Sequence, residues 1–284
     1  MEEMRAMVRG YYDLQKLRIS VGNRIVATFK AKLGQEPSQK ENELSAEGKM
    51  ILANLRSEYK RLADGAGRVS TRLKQHKGLI SSQAEFSLVA QYEKLLEAED
   101  CGEKAMRLTL DGIPVYRDYL AGVKGVGTLM AGVIISEIDI AKARYASSLW
   151  KYAGLDVAPD GRGRSRRGDH LVDMEYTNKD GEPATRRSIT FNPFLKTKLV
   201  GVLASSFLKA GRDNPYAAIY YGYRNRLENH PAHAEKTKGH RHNMAMRYMV
   251  KRFLADLYAK WRELEGLPVA PEYSEGKLGI RHAA

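Results

Sequence analysis

Apolar residues recur at three- and four-residue intervals over most of the chain, the period of helices that bury one face. Leu14, Leu17, Val21, Ile25 and Phe29 form one such stripe over residues 11–32, and Ile51, Leu55, Tyr59 and Leu62 form a second. Between them a polar stretch over residues 34–42 carries Pro37, and Ser45 stands where an N-cap would open the second helix. Gly65 and Gly67 interrupt that helix; a third pattern runs through Val69, Leu73 and Leu79, and a fourth through Phe86, Val89, Tyr92 and Leu96. The charges between the stripes are of mixed sign, as on the solvated faces of long antiparallel helices. Residues 1–110 are therefore expected to form a coiled-coil-like helical arm, with two-fold dimerisation favoured over a plain helical subdomain. Arg18, Asn23 and Arg24 are open to two readings, nucleic-acid contacts or ordinary surface residues of the first helix.

The pattern changes over residues 120–137, LAGVKGVGTLMAGVIISE, where Gly125-Val126-Gly127 separates two apolar stretches in the manner of a helix-hairpin-helix. Glycines there permit a tight turn and let a phosphate approach backbone N–H groups, and the N-terminus of the next helix favours an anion. Lys124, Gly125, Gly127 and Thr128 are the candidate phosphate contacts, with Val126 pointing inward. Further on, Trp150 to Leu155 reads as a helix end closing in glycine, and residues 161–168, GRGRSRRG, place Arg162, Arg164, Arg166 and Arg167 in a loop expected to be flexible until it binds. Asn178-Lys179-Asp180-Gly181 sits at the turn of a small β-hairpin over residues 171–190. After Pro193 the stripe Leu195, Leu199, Leu203, Phe207 marks another helix, which Gly211 ends.

Asn214-Pro215-Tyr216 opens a helix in which Tyr220, Tyr221 and Tyr223 interleave with Arg224 and Arg226; core packing is the commoner use of such tyrosines, base stacking the rarer one. The segment KTKGHRHNMAMRYMVKR then gathers Lys236, Lys238, His240, Arg241 and His242 at a helix start, with Arg247 two turns on. His230, His233, His240 and His242 match no zinc spacing, so neither metal nor other cofactor is expected. Residues 111–265 are read as a second, nucleic-acid-binding domain and 266–284 as an exposed tail.

Charge sharpens the picture: 47 Lys and Arg against 34 Asp and Glu leave +13 at pH 7, which favours a phosphate-bearing partner. The single cysteine, Cys101, excludes a disulfide framework and fits a reducing compartment, the cytoplasm. Glu2, Glu3, Arg5 and Arg9 leave no apolar core for a signal peptide, and no window suits a membrane span.

In order along the chain, GVKGVGTLMAGVIISEI, WKYAGL, the arginine loop and KGHRHNMAMRYMVKRFLADLY resemble the C-terminal domain of insertion-sequence transposases that use a bridge RNA. The arrangement is also similar to the Nop domain of box C/D guide-RNA particles. With the opening YYDLQKLRISVGNRI, the whole most closely resembles the Tas proteins of tandem-interspaced guide-RNA systems. That resemblance implies a homodimer, mainly α, in which a helical arm precedes a Nop-like domain with a helix-hairpin-helix and a β-hairpin insertion. It implies a small guide RNA and target double-stranded DNA as partners, no membrane, no catalytic residues and no nuclease domain. Two alternatives stand beside it: a bridge-RNA-type transposase or recombinase, and a guide-free structural DNA-binding protein. The transposases carry a nucleophilic serine before a glycine after the YAGL segment; this chain has Asp160-Gly161 there, and Ser165 lies out of register.

Overall fold

A computed structural model describes residues 2–33 and 46–271. The protein is mainly helical, with one small two-stranded antiparallel sheet. Two compact units divide it: Ala6–Met106, and Arg107–Ala284 together with Met1–Arg5. The expected break after residue 110 falls four residues later than this division. Pro37, the Ser45 cap and the tail beyond residue 271 lie outside the described residues.

The smaller unit is built from parts of α1 (Glu2–Lys32) and α4 (Gln83–Asp111), with α2 (Ala46–Asp64) and α3 (Val69–Gln75) between them in sequence. Its core joins Ile25, Phe29, Leu55, Leu62, Leu73, Ile80, Val89 and Tyr92. Ion pairs fix helix direction: Arg18 meets Glu99 and Lys32 meets Glu85, so α4 descends as α1 rises. Arg56–Glu93 and the Tyr59–Phe86 ring contact set α2 antiparallel to α4 in the same way. Two expectations need correction. Leu17 is 56% exposed, because the buried stripe of α1 runs instead through Tyr11, Ile25 and Phe29. The third helix stops at Gln75, before Leu79, and Glu58 bonds both His76 and the backbone N–H of Ile80, closing the turn that follows.

In the larger unit α11 (Lys238–Leu264) runs through the core, burying Met249, Val250, Phe253, Leu254, Leu257, Tyr258 and Trp261. Against it pack α5 (Pro114–Arg117), α7 (Ala146–Tyr152), α10 (Pro215–Asn229), and a continuous run of α8 (Pro193–Lys196), a π-helical segment (Thr197–Leu203) and α9 (Ala204–Lys209). Leu195, Leu199, Leu203 and Phe207 repeat every four residues and are all fully buried. That spacing outruns the 3.6-residue turn of an α-helix, and the wider π turn keeps the four on one side. Phe207, Tyr216 and Phe253 make an aromatic cluster, with centroids 4.7 to 5.4 Å apart. α6 (Thr128–Glu137) is apolar all round and correspondingly buried from Met130 to its end.

The strands β1 (Val172–Thr177) and β2 (Pro183–Ser188) pair as expected around Asn178, whose Oδ1 accepts from the N–H groups of Asp180 and Glu182. The helix-hairpin-helix is only half realised. Its second arm is α6, but the first is a single 3-10 turn at Leu120–Gly122, and Val126 is half-buried rather than an inward anchor.

Candidate nucleic-acid interface

Gly125 has φ +104°, and a Cβ there would fall 2.8 Å from Cδ1 of Phe207, so the position requires glycine for packing. Its carbonyl accepts from Ser206 Oγ, and the carbonyl of Lys124 accepts from Asn214 Nδ2. The hairpin backbone is thus committed to the core. Lys124 pairs with Asp213 at 3.1 Å on the surface. Gly127 has open space around it and, as N-cap of α6, makes no side-chain cap bond; Thr128 follows, half-buried.

The arginine loop, expected to be flexible, is held in a hydrogen-bonded frame. Val157 bridges Gly163, Ala158 N–H donates to the Arg162 carbonyl, and Arg164 N–H donates to the Asp156 carbonyl. Arg164 is drawn inward, donating Nε and Nη2 to Asp156 Oδ2 at 3.0 and 2.7 Å. Arg162 and Arg167 instead line an open cavity, and Arg166 is exposed outside its lining.

That cavity, of about 1060 Å³, is walled by Leu155 and Val157, by Gly161, Arg162, Gly163, Ser165 and Arg167 of the arginine loop, by α11 and its approach, and by Tyr223 of α10. Arg162, Arg167, Lys236, Arg247 and Lys251 contribute five cationic side chains to the lining, His240 adds a titratable ring, and no carboxylate is present among the described lining residues. Tyr223 and Tyr248 stack at 4.1 Å with their planes 14° apart. On α11 the residues His240, Asn243, Met244, Arg247, Tyr248 and Lys251 follow the three- and four-residue rhythm of one helix face. Arg247 is anchored by donating to the carbonyls of Gly154 and Asp156, at 3.2 and 3.1 Å.

Positive charge also exceeds negative charge just behind this wall. Lys196 donates to the Arg164 carbonyl and lies 4.6 Å from the centroid of the Phe191 ring. Burial, reinforced by Arg247, lowers its ammonium to about 8; Asp156 opposes the shift, and Arg164 adds to it. Burial lowers Arg247 and Lys251 as well. Asp156 is the acidic group acting on all three, and its Oδ1 is buried with no hydrogen-bond partner. A phosphate in the cavity would meet cations that the protein's own carboxylates leave under-compensated.

Other basic candidates have internal duties. Arg241 donates to the carbonyls of His233, Ala234 and Lys236. His242 pairs with the buried Tyr220 hydroxyl at 2.6 Å, which makes Tyr220 a core residue. Arg224 binds Glu228 and the same hydroxyl. Arg226 and Lys238 are exposed outside the cavity.

A second arrangement gives Ser165, the residue open to a relocated nucleophile's role, two partners that the sequence does not single out for it. Ser165 N–H and Oγ lie 3.0 and 2.9 Å from His170 Nδ1, while His170 Nε2 lies 3.1 Å from Asp160 Oδ2. A backbone N–H only donates, so Nδ1 accepts and Nε2 carries the proton toward Asp160. Asp160 is held below the usual carboxylate range by the Arg162 N–H and then by His170. Ser165 lines the cavity while the His170 side chain is 1% exposed. The three fall within eleven residues at five-residue spacing, which is the period of neither an α-helix nor a strand.

A scan of protein-family models, a search of curated proteins and a search of solved structures each return no match for the chain. Among the described residues no helix is long and apolar enough to cross a membrane.

Proposed function

We propose that the protein is a nucleic-acid-binding scaffold that seats the phosphodiester backbone of a guide RNA in this cavity and presents the RNA to double-stranded DNA. Base pairing then supplies sequence choice, and Arg and Lys contacts supply affinity. The observation that carries the reading is the cavity lining, five cations and two stacked tyrosines without a carboxylate. The guide RNA, the homodimer formed through residues 1–110, the Nop-like character of the larger unit and the absence of a nuclease activity rest on the resemblance of the sequence motifs. Crosslinking of bound RNA, followed by peptide mapping, tests the proposal. Crosslinks are expected within residues 155–167 and 236–251; crosslinks confined to residues 6–106 would contradict it.

A second reading rests on Ser165. With His170 Nδ1 as base, Ser165 Oγ attacks phosphorus as its proton passes to the imidazole; the Oγ–P bond forms as the bond to the leaving strand oxygen breaks, and that oxygen takes up the proton from the imidazolium. Asp160 holds the ring and stabilises the imidazolium. This is the strand-cleavage step of a recombinase, with its nucleophile displaced from the position expected of the transposases. A covalent protein–DNA adduct abolished by Ser165→Ala supports it, and no adduct with RNA-loaded protein and nicked DNA counts against it.

A further inference from the structure

The cavity is chemically two-sided. Successive helical residues are turned by about 100°, so Met244 and Tyr248 lie to one side of the His240–Lys251 line on α11, and Asn243 and Arg247 to the other. Tyr248 is thereby brought to α10, where Tyr223 covers one of its faces, and 37% of its surface remains accessible. Arg247 is brought to the arginine loop, where its guanidinium lies against Gly163 and close to the wall that carries Arg162 and Arg167. From His240 to Lys251 the face extends about 16 Å.

We infer that the cavity takes an unpaired nucleotide, its phosphate on Arg247 and Lys251 and its base against Tyr248. The inference rests on the phosphodiester reading above and adds what that reading leaves open, the strandedness of the ligand. A continuous duplex offers phosphates to the cations but keeps its base faces stacked on one another; only an unpaired base presents a face to tyrosine. An aromatic platform beside a cationic wall therefore selects single strands. Leu155, Val157 and Met244 add apolar surface to the lining, which suits a base and gives nothing to a phosphate. Arg247 and Lys251 both line the cavity, and the Arg247 guanidinium lies at Gly163, away from the Tyr223–Tyr248 stack, which gives the anion its place.

The test compares Tyr248→Ala, Tyr248→Phe and the double variant Arg247→Gln/Lys251→Gln for affinity toward a short single-stranded RNA, the same sequence as DNA, and the corresponding duplex. Tyr248→Ala is expected to weaken single-strand binding by about tenfold, the size of one lost base stack, and to leave duplex binding and its salt dependence unchanged. Tyr248→Phe keeps single-strand affinity, since the ring and not the hydroxyl does the stacking. Preference for the RNA or for the DNA strand identifies the source of the nucleotide, and either supports the inference. If the double variant loses affinity while Tyr248→Ala changes nothing, or weakens single strand and duplex alike, the unpaired-nucleotide inference falls and the phosphate reading stands. If the double variant retains full affinity for every ligand, both fall.

Discussion

The guanidinium of Arg247 occupies the space that a side chain at Gly163 would need, because a Cβ at that position would fall inside contact distance of Nη1, Nη2 and Cζ. Arg247 is thus placed by the absence of a side chain in the loop and by the carbonyls of Gly154 and Asp156. Gly163→Ala should push the guanidinium out of its seat and weaken nucleic-acid binding about tenfold, comparable to losing one charge-assisted contact. The melting temperature should move little, since the loop is exposed. Equilibrium binding beside a thermal melt checks this; unchanged affinity would show that Arg247 is not a contact.

Salt dependence counts phosphates. Replacing Arg247 or Lys251 by Gln should each reduce the slope of log affinity against log salt by about 0.7 to 0.9, the value for one phosphate on a single or a double strand. Arg241→Gln should leave the slope unaltered and lower the melting temperature, because that guanidinium is spent on backbone carbonyls. Titrations at several salt concentrations separate the two classes.

Lys196 links the cavity to pH. Its folded value of about 8 lies below the ordinary 10.5, so between those values the unfolded chain binds more protons and this group's contribution to stability rises with pH. Below pH 8 the lysine is charged in both states and its unfavourable burial is fully felt. The melting temperature of the wild type relative to Lys196→Met should therefore climb from pH 7.5 to pH 9.5. Parallel profiles would remove Lys196 as the titrating group. An anion in the cavity favours the charged form, so affinity should fall over the same range.

The larger unit depends on Phe207, which packs against Gly125, Tyr216 and Phe253. Phe207→Ala should cost about 3–5 kcal/mol, as expected for deleting a buried aromatic ring. Gly125→Ala should cost at least about 1–2 kcal/mol from its positive φ alone, with the approach to Phe207 adding to this. Denaturant unfolding of both variants gives the comparison.

How much of this was legible in the sequence follows from the range of the forces involved. Helices set by a local apolar period were readable, including the breaks at Gly65 and Gly67 and the Asn178 turn. Leu17 departs from its expected place because a stripe running only from Leu14 to Phe29 does not fix which arc of a 31-residue helix meets its partner. The four basic loop residues looked alike; only contacts with Asp156 and α11 separate Arg164, turned inward, from Arg162 and Arg167 on the cavity wall. Within α11 the spacing of His240, Arg247 and Lys251 is a signal present in the sequence, and it reaches Lys251, a lining residue absent from the sequence expectations. The meeting of Tyr248 with Tyr223 depends on how α10 and α11 fold together. His170 has no pattern around it, and its place between Ser165 and Asp160 follows from the loop's path.

The most direct measurement is to sequence the nucleic acid retained by the protein when its whole genomic neighbourhood is expressed, beside that retained by Arg247→Gln/Lys251→Gln. A discrete, nuclease-protected small RNA on the wild type, lost from the double variant although it remains folded, is the predicted result. Heterogeneous fragments, or the same RNA held equally by both proteins, would contradict a guide-RNA scaffold seated in this cavity.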